Sequence, residues 1–161
     1  MCGRTTVFED PVRPGRRGID TISGYAGTVG LAAVILMLGT NDCKKVFRAS
    51  PEQIGCGLEQ CLVRFEKLVP PGKILVVSPL LLGKDVWKPE KDPAFDRESV
   101  RTCLALKEIY CSIAARRGNL FLAASEHAEA SHVDDEHLNA AGHERLGAAV
   151  WKKLQECGKL F

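Results

Sequence analysis

Three short apolar runs alternate along the chain with three longer segments in which apolar residues recur at helical spacing. The runs cover residues 31–38, 73–78 and 119–123, and the helical segments cover residues 51–68, 97–117 and 139–157. Regular alternation of this kind predicts a parallel sheet covered by helices. We therefore expect an α/β fold, a parallel sheet with helices on both faces, in a single domain of residues 1–161.

Two details of this fold can be predicted from the pattern of apolar residues. The run at residues 31–38 is continuous and is closed by Gly39, which suits a strand buried on both faces. In the second helical segment, one face is expected to point inward. The residues expected on that face are Val100, Leu104, Ile109 and Ile113.

Charge and hydropathy exclude two broad classes of partner. The chain has 22 basic and 20 acidic residues and a net charge of +2, whereas nucleic-acid binding requires a clustered positive excess. The densest basic cluster, Arg13, Arg16 and Arg17, lies in a Pro/Gly-rich stretch that is interpreted as a solvated loop, with an anion site as the second interpretation. The longest apolar run is too short to span a bilayer.

Cysteine and histidine spacing argues against a disulfide framework and against a metal site. The seven cysteines form no C-x-x-C pair, and an odd number of thiols at apolar positions indicates reduced side chains in a reducing compartment, here the cytoplasm. The four histidines fit no compact zinc pattern, so no metal is expected. These histidines are His127, His132, His137 and His143.

Polar motifs follow the first and third apolar runs, where ligands of parallel sheets bind. After the first run, Asn41 in Gly-Thr-Asn-Asp could donate its amide to an oxyanion, or it could simply end the strand in an Asx turn. After the third run, Asp134 lies three residues before His137 and could fix its tautomer, as the acid of a triad does. The alternative is a surface pair at a helix N-terminus. Asp135 is a second candidate acid, but its side chain would leave the turn in a different direction.

Together the two motifs resemble two characteristic blocks of the SGNH (GDSL-like) hydrolases, G-x-N-D and D-x-x-H. Residues 3–11 resemble the glycine block and following loop of the arylesterase-like branch, so the similarity extends over nearly the whole chain. The resemblance implies a flavodoxin-like architecture and hydrolysis of small acyl or aryl esters without a cofactor. It assigns His137 as general base and Asp134 as its orienting acid. Asn41 and the backbone N–H of Gly3 would be oxyanion donors, and Asp42 would be structural.

The chain departs from the family pattern at the nucleophile. The family's serine sits in a G-D-S-like turn upstream of the glycine block, but here that block begins at Gly3 and no G-D-S occurs. We assign no nucleophile and expect an incomplete or inactive form that lacks an N-terminal strand, helix and strand. The alternative is a binding or interaction module without catalysis. Without those strands, the flank of the strand at residues 31–38 would be exposed, which favours self-association.

The long loop after the second run is the remaining candidate for substrate contact. Residues 79–97 contain Trp87 and Phe95, which follow a strand end and could line an acyl pocket. A plain surface loop is the competing interpretation.

Overall fold

A computed structural model describes residues 3–27 and 30–156, apart from the side chain of Glu156. Its single described sheet has three parallel strands in the order β1 (Val34–Leu36), β2 (Ile74–Ser78) and β3 (Leu120–Ala123). The α-helices are α1 (Pro51–Phe65), α2 (Arg97–Arg117) and α3 (Ala140–Glu156). Four short 3-10 helices span Gly18–Tyr25, Asn41–Cys43, Pro71–Lys73 and Ala124–Glu126. The predicted order of strands and helices is confirmed.

The helices cover both faces of the sheet, as expected. Ile74 and Val76 of β2 point to the face on which α1 and α2 pack against each other. Leu75 and Val77 point to the opposite face, where they meet Leu146 of α3. Because β2 is the middle strand, all five of its residues are buried, which explains its unbroken apolar sequence.

Local capping sets the helix boundaries. Ser50 accepts a hydrogen bond from the backbone N–H of Gln53 at the start of α1, and Asp96 accepts one from Ser99 at the start of α2. Each pair is a reciprocal capping box, which satisfies backbone donors that the first turn leaves free. Gly118 ends α2 in the left-handed conformation, with φ 71°.

The prediction that the first apolar run is buried on both faces is wrong. β1 is only three residues long, and its central residue, Ile35, is 52% exposed between the buried Val34 and Leu36. The physical reason is that α3 packs over β2 and β3, which leaves this face of β1 open. β1 also lies at the edge of the described sheet.

One residue of the predicted inward face of α2 is misplaced. Leu104 is 62% exposed, whereas the neighbouring Cys103 is buried and donates its thiol to the carbonyl of Leu80. The buried stripe continues through Leu106 and Tyr110. Leu104 follows Cys103 by one residue and is therefore rotated by about 100° from it, away from that stripe.

The described thiols are free, but only some of them are buried. Cys43, Cys61 and Cys103 are buried and free, and Cys56 and Cys111 are exposed and free. Cys2 and Cys157 lie outside the described residues. In the described parts of the chain, no helix is both long and apolar enough to cross a bilayer.

Candidate active site

The backbone turn that follows β1 places Asn41 at the carboxyl end of the sheet. Gly39 adopts φ 121°, which favours glycine, and a Cβ there would collide with the hydroxyl of Tyr110. That hydroxyl donates to the carbonyl of Leu38 at 3.0 Å. Asn41 then opens a 3-10 helix and is half-buried. Its side-chain amide has no hydrogen-bond partner among the described residues, so its N–H groups are free to donate.

Asp42 fastens the N-terminal loop to this turn. Its carboxylate is fully buried and accepts the backbone N–H of Thr6, at 2.9 Å and 3.1 Å to its two oxygens, as well as the Thr6 hydroxyl. Burial raises the pKa of Asp42 to about 6, and the hydrogen bonds from Thr6 oppose that rise. These contacts fit the structural role expected for Asp42.

Gly3 lies on the loop that Asp42 holds, among arginine side chains. It adopts φ 72°, and a Cβ on it would lie 2.9 Å from Nη1 of Arg13 and 3.2 Å from Nη1 of Arg16. Arg13 is paired with Asp10 at 3.1 Å. A bulkier residue than glycine is therefore excluded at position 3 unless both guanidinium groups move.

Asp134 and His137 are in direct contact, as their spacing predicts. Oδ2 of Asp134 lies 2.8 Å from Nδ1 of His137, and Oδ1 accepts the backbone N–H groups of Glu136 and His137 at 3.0 Å and 2.9 Å. Partial burial would raise the pKa of Asp134, but these hydrogen bonds outweigh it and the pKa is lowered. The hydrogen bond to Asp134 raises the pKa of His137. The His137 side chain is 70% exposed, so the other ring nitrogen can reach a reactant.

Asp135, the alternative acid, points away from His137. Its carboxylate is paired with Lys91 at 2.5 Å and is largely buried. Of these two carboxylates, Asp134 is therefore the one that contacts the imidazole.

A charged group that the sequence did not single out adjoins this pair, and it consists of Glu136, Lys44 and Asp92. Oε2 of Glu136 lies 3.8 Å from Nδ1 of His137, and Nζ of Lys44 lies 3.8 Å from Asp92. Burial raises the pKa of Glu136, against the opposing charges of His137 and Lys44. The only available signal was proximity in sequence, because Glu136 lies inside one motif and Lys44 lies two residues beyond the other.

The two aromatic residues of the long loop have different environments. Phe95 is 1% exposed in the main core, with Nζ of Lys44 5.4 Å from its ring centroid. Trp87 is half-buried, donates its indole N–H to the carbonyl of Lys84 at 2.9 Å and stacks against Arg97. Of the two, only Trp87 presents appreciable surface to solvent.

No serine takes the position of a nucleophile among the described residues. Ser78 ends β2 but is fully buried, and its hydroxyl has no hydrogen-bond partner there. Ser131 is nearest to His137 in sequence, but its hydroxyl accepts the N–H of Val133. The described residues also contain no group of three or more His, Cys, Asp or Glu side chains that could hold a metal ion.

Comparison with solved structures identifies the family. An aryl esterase of M. smegmatis is 27% identical, with a TM-score of 0.85 over 98% of this chain and 76% of its own. A carbohydrate acetylesterase from Sinorhizobium meliloti is 28% identical, with a TM-score of 0.84 over 97% of this chain and 75% of its own. A further solved structure is 33% identical, with a TM-score of 0.85 over 96% of this chain and 73% of its own. The chain belongs to the SGNH (GDSL-like) hydrolase family.

This SGNH hydrolase therefore comes from an ester hydrolase lineage, and it spans about three-quarters of the length of those neighbours. A lipase/acylhydrolase from Enterococcus faecalis shares the fold at 15% identity, with a TM-score of 0.61 over 99% of this chain and 73% of its own. No model of a protein family matches the sequence, and no curated protein matches it.

Proposed function

We propose that this chain carries the acid–base pair and the oxyanion donors of a site that hydrolyses small acyl or aryl carboxylic esters. The observation that supports this function most directly is the 2.8 Å contact between Asp134 and His137 at the carboxyl end of the sheet. A carboxylate held there by two backbone N–H groups stabilises the charged imidazole that forms when a nucleophile gives up its proton.

In the proposed reaction a serine hydroxyl attacks the acyl carbon, and Nε2 of His137 accepts its proton. The oxyanion receives hydrogen bonds from the side-chain amide of Asn41 and the backbone N–H of Gly3. The protonated His137 returns its proton to the leaving alcohol, and the serine keeps the acyl group. Water, deprotonated by His137, then releases the acid and regenerates the serine. The reaction requires no cofactor, and free buried thiols fit a reducing compartment such as the cytoplasm.

A binding or interaction module without catalysis is the second candidate. It is favoured by one observation, that no serine hydroxyl among the described residues contacts the His137 ring. Under this alternative the Asp134–His137 pair is retained as a structural feature of the turn.

The first experiment uses the chain of 161 residues as it stands. We expect no turnover of p-nitrophenyl acetate above the weak background of a site without its nucleophile, and no labelling by a fluorophosphonate probe. Stoichiometric labelling of any serine would show that the chain contains a nucleophile, and it would overturn our conclusion that no nucleophile can be assigned.

The second experiment supplies the nucleophile and separates the two candidates. A segment from an aryl esterase that contains a strand, a G-D-S turn, a helix and a second strand would be fused before Gly3. We expect esterase activity that His137→Ala nearly abolishes and that Asn41→Ala lowers roughly 100- to 1,000-fold in kcat. A folded chimera without activity would favour the interaction module. Activity that survives His137→Ala would refute the assigned base.

The same chimera tests the acyl pocket proposed for the long loop. If Trp87 lines that pocket, Trp87→Ala should change the relative kcat/KM for short and long acyl chains. Leu104→Ala, at an exposed apolar residue of α2, is the matched control. An unchanged chain-length profile in Trp87→Ala would mean that residues 79–97 form a plain surface loop.

A further inference from the structure

The turn that carries the acid–base pair is closed by its own hydrogen bonds. The backbone N–H of Ser131 donates to the carbonyl of His137 at 2.7 Å, and the N–H of Asp135 donates to the carbonyl of Ser131 at 2.8 Å. With Asp134 accepting the N–H groups of the two following residues, residues 131–137 form a compact unit. Such a unit moves as a whole, so its anchoring determines where His137 lies.

Asp135 provides the anchoring to the long loop. Its carbonyl accepts the N–H of Gly83 at 2.8 Å, and its carboxylate pairs with Nζ of Lys91 at 2.5 Å. Only 17% of the Lys91 side chain and 12% of the Asp135 side chain are exposed. Within the described residues, no other hydrogen bond or ion pair joins residues 79–96 to residues 131–137.

Both residues of the backbone hydrogen bond between Gly83 and Asp135 are under a conformational or steric restriction. Asp135 adopts φ 59°, a left-handed conformation that residues other than glycine adopt less readily. Gly83 cannot carry a Cβ, because one would collide with the Asp135 side chain. A residue held in an unfavourable conformation at a functional turn is a reason to look for a role beyond packing.

We propose that Lys91 and Asp135 form a clamp that positions Asp134 and His137 relative to the long loop. The two residues act through the acid–base pair and touch no reactant, so they are positioning residues. The inference rests on the acid–base role proposed above for Asp134 and His137.

The clamp controls which charges face His137. Asp134 and Glu136 face the imidazole from its own turn, while Asp92 faces it from the long loop. Lys44 lies opposite Glu136 and Asp92. If the clamp opens, the Asp92 carboxylate moves away from the imidazole, and part of the stabilisation of the charged ring is lost.

The first test measures the His137 ring by NMR titration in the chain as it stands, with no catalysis involved. In Lys91→Met we expect the His137 titration midpoint to move to lower pH. The direction is diagnostic, because simply deleting the Lys91 charge in an unmoved structure would leave more net negative charge nearby and move the midpoint upward. An upward movement or an unchanged midpoint would overturn the proposal.

Hydrogen exchange gives a second readout in the same samples. The amide proton of Gly83, which donates to the Asp135 carbonyl, should exchange roughly tenfold faster or more in Lys91→Met, given the usual contribution of a charge-assisted hydrogen bond. Lys107→Met is the matched control, because Lys107 forms a more exposed ion pair with Glu126 at 2.7 Å. It should change neither readout. Unchanged exchange in Lys91→Met would contradict the clamp.

Asp135→Gly distinguishes loss of the anchoring contact from loss of overall stability. It also replaces Lys91→Met as the test variant if Lys91→Met fails to fold. Glycine relieves the left-handed conformation but removes the carboxylate. We expect an unchanged or raised melting temperature together with faster exchange of the Gly83 amide. Unchanged exchange in this variant would mean that the carboxylate anchors nothing.

The last test uses the active chimera. Lys91→Met should lower kcat about tenfold or more with little change in KM, since misplacing a base by a fraction of an ångström costs rate more than binding. Lys91→Arg should restore much of the loss. A chimera without His137-dependent activity would refute the proposed function, while the NMR result would still decide whether the clamp exists. Full activity in Lys91→Met would refute its positioning role.

Discussion

At the scale of single residues, the contact between Asp134 and His137 gives a direct pH prediction. The Asp134 carboxylate raises the pKa of His137 by hydrogen bonding to the charged ring. Asp134→Asn should therefore lower the pKa of His137, and the proton should be lost at lower pH in an NMR titration of the ring. Glu129→Gln, at an exposed acidic residue, is the control. A His137 titration curve that Asp134→Asn leaves unchanged would contradict this prediction.

In the active chimera the same substitution has a kinetic consequence. Because a base works only when deprotonated, the acid limb of the kcat/KM profile should move to lower pH in Asp134→Asn. The maximal rate should nevertheless fall, by as much as about 10,000-fold, because an amide favours the wrong tautomer of His137. A pH profile with the same acid limb as that of the parent chimera would show that Asp134 does not set the pKa of the general base.

Asp42 gives a second residue-scale prediction, on stability. Its folded pKa of about 6 exceeds the reference value of 3.8, so the folded state binds the proton more tightly than the unfolded state. Its contribution to stability is therefore fully present below about pH 4 and is lost as pH rises through 6, a change of about 3 kcal/mol.

Urea unfolding of Asp42→Asn at several pH values checks this window. Asparagine does not titrate, so the variant should lack the decline that the wild type shows between about pH 4 and pH 6. Asp20→Asn, at an exposed aspartate, should keep that decline. If the free energies of unfolding of wild type and Asp42→Asn change in parallel with pH, then Asp42 does not cause the decline.

The residue scale also shows what sequence spacing can and cannot predict. The spacing of three residues placed Asp134 against His137, because a turn brings such residues together locally. It could not reveal Lys91, which meets Asp135 across 44 positions of sequence. Nor could it show that the ring of Phe95 lies in the core. Contacts of that kind depend on how two loops pack, and no local pattern encodes loop packing.

At the scale of elements, predictions succeeded where short-range chemistry sets a boundary. α2 begins after Asp96 and ends before Gly118, and capping explains both limits. They failed where the neighbouring element decides burial. Ile35 and Leu104 are as apolar as their buried neighbours, but one lies on an uncovered face and the other lies off the buried stripe.

The end of β1 gives an element-scale prediction about Gly39. Gly39→Ala should destabilise the chain by about 3 kcal/mol, because alanine must adopt φ 121° and its Cβ collides with the Tyr110 hydroxyl. Gly15→Ala is a matched control with φ 75° and open space around it, and should cost only about 1 kcal/mol. The measurement is the free energy of unfolding in urea. Equal losses in the two variants would refute the steric part of the argument.

At the scale of the whole molecule, the site is assembled from the carboxyl ends of separate strands. Asn41 follows β1, the long loop follows β2, and the turn with His137 follows β3. Parallel strands bring these three segments to one edge of the sheet, which is why the order of elements was enough to predict where the candidate site lies. The same architecture leaves β1 at the sheet edge, with an apolar face that the described helices do not cover.

That edge leads to the last prediction, self-association of two copies through β1. No described strand pairs with the outer edge of β1, and Tyr25, Ile35 and Met37 beside it are 49%, 52% and 38% exposed. A second copy of the chain offers both free backbone groups and a matching apolar surface. Pairing of the two β1 strands would satisfy the backbone groups and bury the apolar surface. Light scattering over a concentration series should show mass rising with concentration. Ile35→Lys should return the chain to a monomer, because a charge on that face opposes burial, whereas Leu104→Lys on α2 should not. A wild-type chain that stays monodisperse and monomeric at all concentrations would show that this edge does not pair with itself.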